Sequence, residues 1–122
     1  MFNNQENLNS LDIQQARVKF ILFKSKLRSV LYGSALDESI LSPRNTPLGH
    51  WLYNSALTKY SYIPEVQRVE KINNDVISKA KSLIDLYNSG KIEEARQGLE
   101  SLHDLENELI SLLGTIERKA VA

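Results

Sequence analysis

Few side chains in this chain could do chemistry. His50 and His103 are the only histidines, and cysteine is absent. Without cysteine there is no disulfide, no thiolate metal site and no thiol redox sensing. Neither histidine has a His, Cys or carboxylate four residues away, the spacing that sets two ligands on one helix face. Glu106 follows His103 by three, which fits an ordinary surface pair better than a general-base couple. No Ser/His/Asp arrangement can be argued. The five glycines, at 33, 49, 90, 98 and 114, are scattered and form no phosphate-cradling loop. The expectation is a non-enzyme without a cofactor. Asn73 is the polar residue of most interest, because it interrupts an otherwise apolar periodic run.

The elements that must position these residues read as helices throughout, with no sustained period-2 alternation and no hairpin signal. Ser10 reads as the N-cap of a first helix, with Asp12 in its first turn. Ile13, Ala16, Phe20, Phe23, Leu27 and Val30 give that helix a heptad seam, and Gly33 a C-terminal stop. Residues 34–45 read as a connection, with room for a single turn over 37–41. Thr46-Pro47 is a helix start, hydroxyl cap followed by Pro at N1, and Leu48, Trp51, Leu52 and Leu57 supply an apolar face up to about Tyr60. Pro64 starts a third helix by the same logic. Val66, Val69, Asn73, Val76, Ala80, Leu83 and Tyr87 form its seam, and Gly90 ends it. A fourth helix from Lys91 buries Leu99, Leu102, Leu105, Leu109, Leu112, Leu113 and Ile116. The expected architecture is all-α, an antiparallel four-helix bundle over residues 11–117. Residues 1–10 are expected to be frayed or disordered and 118–122 to be a loose tail.

Three stretches resemble the chemoreceptor zinc-binding domain family. Thr46-Pro47-Leu48-Gly49-His50-Trp51 is similar to that family's Cys-x-(Leu/Phe)-Gly-x-Trp signature, with Thr46 at the Cys. Ala16-Arg17-Val18-Lys19-Phe20 resembles its Ala-His-x-x-Trp segment, with Arg17 at the His. Asn73-Asn74-Asp75-Val76-Ile77 resembles its His-x-x-x-His segment, with Asn73 and Ile77 at the two His. The resemblance covers roughly residues 11–116. It implies the same bundle with its metal site vacated. A guanidinium, a hydroxyl, an amide and a hydrocarbon do not replace four deprotonated ligands in a tetrahedron. Seventeen residues before Gly90, Asn73 faces the level of Glu106 or Asn107 on an antiparallel partner, with Glu106 beside the apolar stripe, and the resemblance sets Arg17 at that level too. A cluster of Arg17, Asn73 and Glu106 is one expectation. Its rival has Arg17 and Glu106 solvated. The resemblance implies a bacterial cytoplasmic sensory or regulatory module, in a chemotaxis or cyclic-dinucleotide setting, that pairs as a homodimer.

The composition agrees with that class. At 122 residues one domain is expected, with no room for a separate output domain, whether the chain stands alone or is excised from a larger protein. Fifteen basic residues balance fifteen acidic ones, so no nucleic-acid footprint is expected. The polar first ten residues carry no signal-peptide core, and no apolar run approaches the ~20 residues that cross a bilayer. A cytoplasmic location without membrane contact is expected. Val18, Ile21 and Leu22 give the first helix a second apolar face, to be covered by a second copy or by residues 34–45 folding back. The favoured reading is a non-enzymatic signalling module acting through a protein partner. The alternatives are a sensor of a small polar or anionic ligand in the vacated site, lined by Arg17, Thr46 and Asn73, and a purely structural dimerisation bundle.

Overall fold

The computed structural model describes residues 4–121, with side chains from Leu8 onward. The chain is all-helical among these residues. Helix α1 spans Asn4–Leu31. A 3-10 turn, Glu38–Leu41, follows it. Helix α2, Pro47–Trp51, continues through a π turn, Leu52–Ala56, into α3, Leu57–Lys59. Helix α4 is Glu65–Asn88 and α5 is Ile92–Gln97. A second 3-10 turn, Gly98–Leu102, leads into α6, His103–Val121.

The whole first seam, Ile13 to Val30, is buried as its period requires. Val66, Val69, Asn73, Val76, Ala80 and Leu83 are buried along α4, and Tyr87 packs half-buried at its end. Leu102, Leu109, Leu112, Leu113 and Ile116 are buried from α6 and the turn before it, while Leu99 and Leu105 lie at the margin. These faces join in one core. Contacts climb α1 as they descend α6: the Ser10 hydroxyl donates to Glu117 at 2.6 Å, and Lys24 pairs with Glu106 at 2.9 Å. Between α4 and α6, Glu65 meets Lys119 at 2.7 Å.

Both expected glycine stops are present. Gly33 and Gly90 have φ of 108° and 86°, the left-handed region where a side chain is disfavoured. Ser34 N–H donates to the Ser29 carbonyl and Gly33 N–H to that of Val30, and Lys91 and Gly90 repeat the pattern on Leu86 and Tyr87. Both are Schellman closures, which satisfy the last carbonyls of α1 and α4.

Several boundaries differ from the sequence expectation. Helix α1 is already formed at Asn4, so Ser10 lies within it and bonds across to α6 instead of capping. Residues 4–10 and 118–121 are helical, not loose, and Lys119 holds the C-terminal turn to Glu65. Residues 1–3 and 122, also expected to be loose, lie outside the described residues. The second helix widens at the π turn, where Leu57 N–H donates to the Leu52 carbonyl. That extra residue carries Ala56 and Tyr60 onto the buried side, and leaves Leu57 only half-buried. The fourth helix is divided, because it tightens to 3-10 after Gly98. There the Ser101 hydroxyl takes the Gly98 carbonyl, the local competition with helical bonding that serine brings.

Candidate functional site

Thr46 and Asn73 meet in a buried polar clasp. The Thr46 hydroxyl accepts from Gly49 N–H at 2.9 Å, the expected N-cap of α2, and donates to Asn73 Oδ1 at 3.4 Å. Asn73 Nδ2 donates to the Pro43 carbonyl at 3.0 Å. Both side chains are almost fully enclosed, at 1% and 3% exposure. The approach is close: a β-carbon at Gly49 would collide with the Pro43 carbonyl oxygen, so only glycine fits there. The clasp ties the entry of α2 to the middle of α4. Ile77, one turn along α4 from Asn73, is buried as well.

The other two expected site residues lie elsewhere. Arg17 is exposed on α1 and lines a groove of about 380 Å³ with Ile13, Gln14, Ile110, Leu113 and Glu117. Glu106 is tied to Lys24. The cluster of Arg17, Asn73 and Glu106 therefore does not form. The reason is helical phase: Ala16 and Phe20 take the buried positions of that stretch, which turns Arg17 outward, and Asn73 finds nearer partners in Thr46 and Pro43. Neither described groove is lined by Thr46, Asn73 or Ile77.

Four tetrahedral ligands for a zinc ion are not supplied by these residues. The Thr46 hydroxyl and the Asn73 amide are spent on each other and on the backbone, Ile77 has no lone pair, and Arg17 is a cation facing solvent. Among the described residues no group of three or more His, Asp or Glu side chains could hold a metal. His50 is exposed and contacts Asn54 through Nδ1 at 3.2 Å. His103 is exposed beside Glu106 and Lys24, in a groove at the start of α6.

A second polar centre was not anticipated. Asp12, read as a helix-dipole partner, accepts from Trp51 Nε1–H at 3.1 Å and from the Tyr60 hydroxyl at 2.7 Å, with Lys59 Nζ 3.7 Å away. The Trp51 and Tyr60 rings pack 6.5 Å apart. Burial pushes the Tyr60 phenol well above the usual tyrosine range, and the hydrogen bond to the Asp12 carboxylate adds to the shift. Asp12 thus clamps the end of α2 and Tyr60, the residue after α3, onto α1. The signal was present in Trp51, whose indole N–H needs an acceptor when buried. Tyr53, Tyr60 and Tyr62 do not form a common patch: Tyr60 is buried, Tyr53 sits half-buried under Arg44 at 4.4 Å, and Tyr62 is exposed. Burial, then the Glu70 carboxylate, push the Tyr53 phenol up.

The largest unexplained feature is on the outside. Leu8, Leu11, Val18, Ile21 and Leu22 stand 47–58% exposed on α1. Residues 34–45 do not cover them. That connection turns its Ile40 into the core instead, with Asp37 capping the 3-10 turn through Ser39 N–H at 3.0 Å.

No family model matches the chain, and no match is found among the curated proteins or the solved structures. Among the described residues no helix is long and apolar enough to cross a membrane.

Proposed function

We propose that this chain is a non-catalytic interaction module, an antiparallel four-helix bundle with a shortened second helix, that acts through the outward face of α1. The observation that carries the reading is that face: five large apolar side chains stay exposed along a helix whose opposite side already fills the core. Exposed apolar rows of this kind mark interaction surfaces in soluble proteins. The resemblance to the chemoreceptor zinc-binding domain supports a cytoplasmic regulatory role, in chemotaxis or cyclic-dinucleotide signalling, with zinc binding lost. The donor chemistry of Thr46, Asn73 and Ile77 agrees with that loss. A ligand sensor in the vacated site has less support, since Thr46 and Asn73 use their polar atoms on one another and Arg17 lies apart from them. The homodimer expected from the sequence, a second copy seated on this face, is the rival to a different protein partner.

A photo-crosslinking residue placed at position 18, in cells of the native host, tests the reading. The expected result is a discrete crosslinked protein species from position 18 and none from exposed Ser111 on α6. Equal, diffuse labelling from both positions would remove the α1 face as the functional surface.

A further inference from the structure

Resting on the reading of α1 as the functional surface, we propose that its outward strip docks an acidic amphipathic helix of a partner protein. The strip is one helix wide. Leu8, Leu11, Gln15, Val18 and Leu22 step by 3, 4, 3 and 4, the spacing of a second heptad row, opposite the buried row that holds Phe20 and Leu27. At 3.6 residues per turn, Ile21 widens the exposed apolar face on one side of this row; Arg17 and Arg28 border the face beyond Ile21, and Lys19 and Lys26 border it on the side of Leu8. Residues 13–36 contain five basic side chains and no Asp or Glu. Lys24 and Lys26 have internal partners in Glu106 and Asp37. Arg17, Lys19 and Arg28 have no ion pair among the described residues. An apolar face bordered by basic side chains is complementary to a helix whose apolar row is flanked by acidic ones.

The charge pattern selects against a second copy, and Gln15 against a lipid surface. A second copy docked through the same strip brings the same basic side chains, and its one acid in residues 8–36, Asp12, is already held by Trp51 and Tyr60, so like charges across the interface disfavour it. A lipid surface would bury Gln15 in the middle of the row, where hydrocarbon offers it no partner. A facing helix tolerates such a residue, as polar groups at single seam positions do in coiled coils.

Two synthetic helical peptides of about 21 residues, three heptads, test the proposal. Both carry leucine at the seam. One has Glu at the flanking positions, where mutual repulsion keeps it monomeric, and the other has Lys. Isothermal titration against the full chain is expected to show the Glu peptide binding at least tenfold more tightly than the Lys peptide. That margin should shrink as salt shortens the Debye length. The double variant Val18→Asn, Leu22→Asn changes only exposed side chains, so its melting temperature should hold while it loses the Glu peptide. Equal affinity for both peptides would overturn the proposal. So would a dimer in sedimentation equilibrium that the Glu peptide cannot dissociate, or binding to phosphatidylglycerol vesicles that the double variant abolishes while the peptide is ignored. A crosslinked partner at position 18 with no preference for the Glu peptide would leave the surface standing and remove only its acidic occupant.

Discussion

Asn73 shows how a polar residue in an apolar seam resolves into structure. Its amide has two partners, Thr46 and the Pro43 carbonyl, and it holds the entry of α2 against α4. Asn73→Leu fits by size but leaves a buried hydroxyl and a carbonyl without their partner. The expected loss is about 1–3 kcal/mol, the cost of such orphaned groups, read by denaturant unfolding. A neutral or stabilising substitution would show that the clasp contributes nothing. Tyr60 carries a pH signature. Its phenol ionises at a higher pH when folded than when unfolded, so the folded state keeps a proton the unfolded chain has lost. The stabilisation is complete below the unfolded tyrosine value near 10 and drains away as pH rises above it. Tyr60→Phe should lower stability at pH 7 and flatten the alkaline loss relative to wild type. An unchanged slope above pH 10 would contradict the shift. The sequence marked Asn73 as buried by its place in a period-3.5 row. It did not supply the partners, because Pro43 offers a backbone carbonyl and Arg17 needed a helical phase that a resemblance cannot fix. Asp12 escaped because its partners, Trp51 and Tyr60, lie some forty residues or more away and meet it only when the chain folds back.

At the scale of elements, the helices and their stops were legible because each is written locally. Heptad spacing, Thr-Pro at a start and Gly at an end all act within a turn or two. The π turn was not, because it answers to packing, nor was the 3-10 turn after Gly98, because a periodic pattern does not announce the bond from the Ser101 hydroxyl to the Gly98 carbonyl. A β-carbon at Gly98 would run into the Leu83 side chain, whereas one at Gly114 meets nothing closer than Arg118 Nη1 at 3.6 Å. The two glycines should therefore respond oppositely. Gly98→Ala should destabilise by about 1–3 kcal/mol through overpacking. Gly114→Ala, inside α6, should stabilise by roughly 0.5–1 kcal/mol through helix propensity. Thermal unfolding of the two variants side by side checks both signs, and the same sign for both would contradict the packing account.

For the whole molecule, the separation of core from surface carries the functional argument. The buried polar groups of the clasp are satisfied, and the Asp12 centre serves to hold one segment against another. A chain whose matched ligand positions are spent in this way should carry no stoichiometric zinc by elemental analysis, and chelator should leave its melting temperature unchanged. One zinc per chain, lost on changing Thr46 or Asn73, would restore the metal reading. What remains unsatisfied is outside, on α1. The sequence announced that surplus in Val18, Ile21 and Leu22, but it left open whether residues 34–45 would fold over them. That choice was decided by Ile40, which the core accommodates completely.

The claim that function resides on the outward face of α1 is tested most directly by hydroxyl-radical footprinting, with the protein dilute and purified and then again in intact cells. The account predicts that Leu8, Leu11, Val18, Ile21 and Leu22 are labelled in the purified protein and protected in cells, while Tyr62, equally open on the structure, is labelled in both. Labelling of the five α1 residues that is the same in both settings would contradict it.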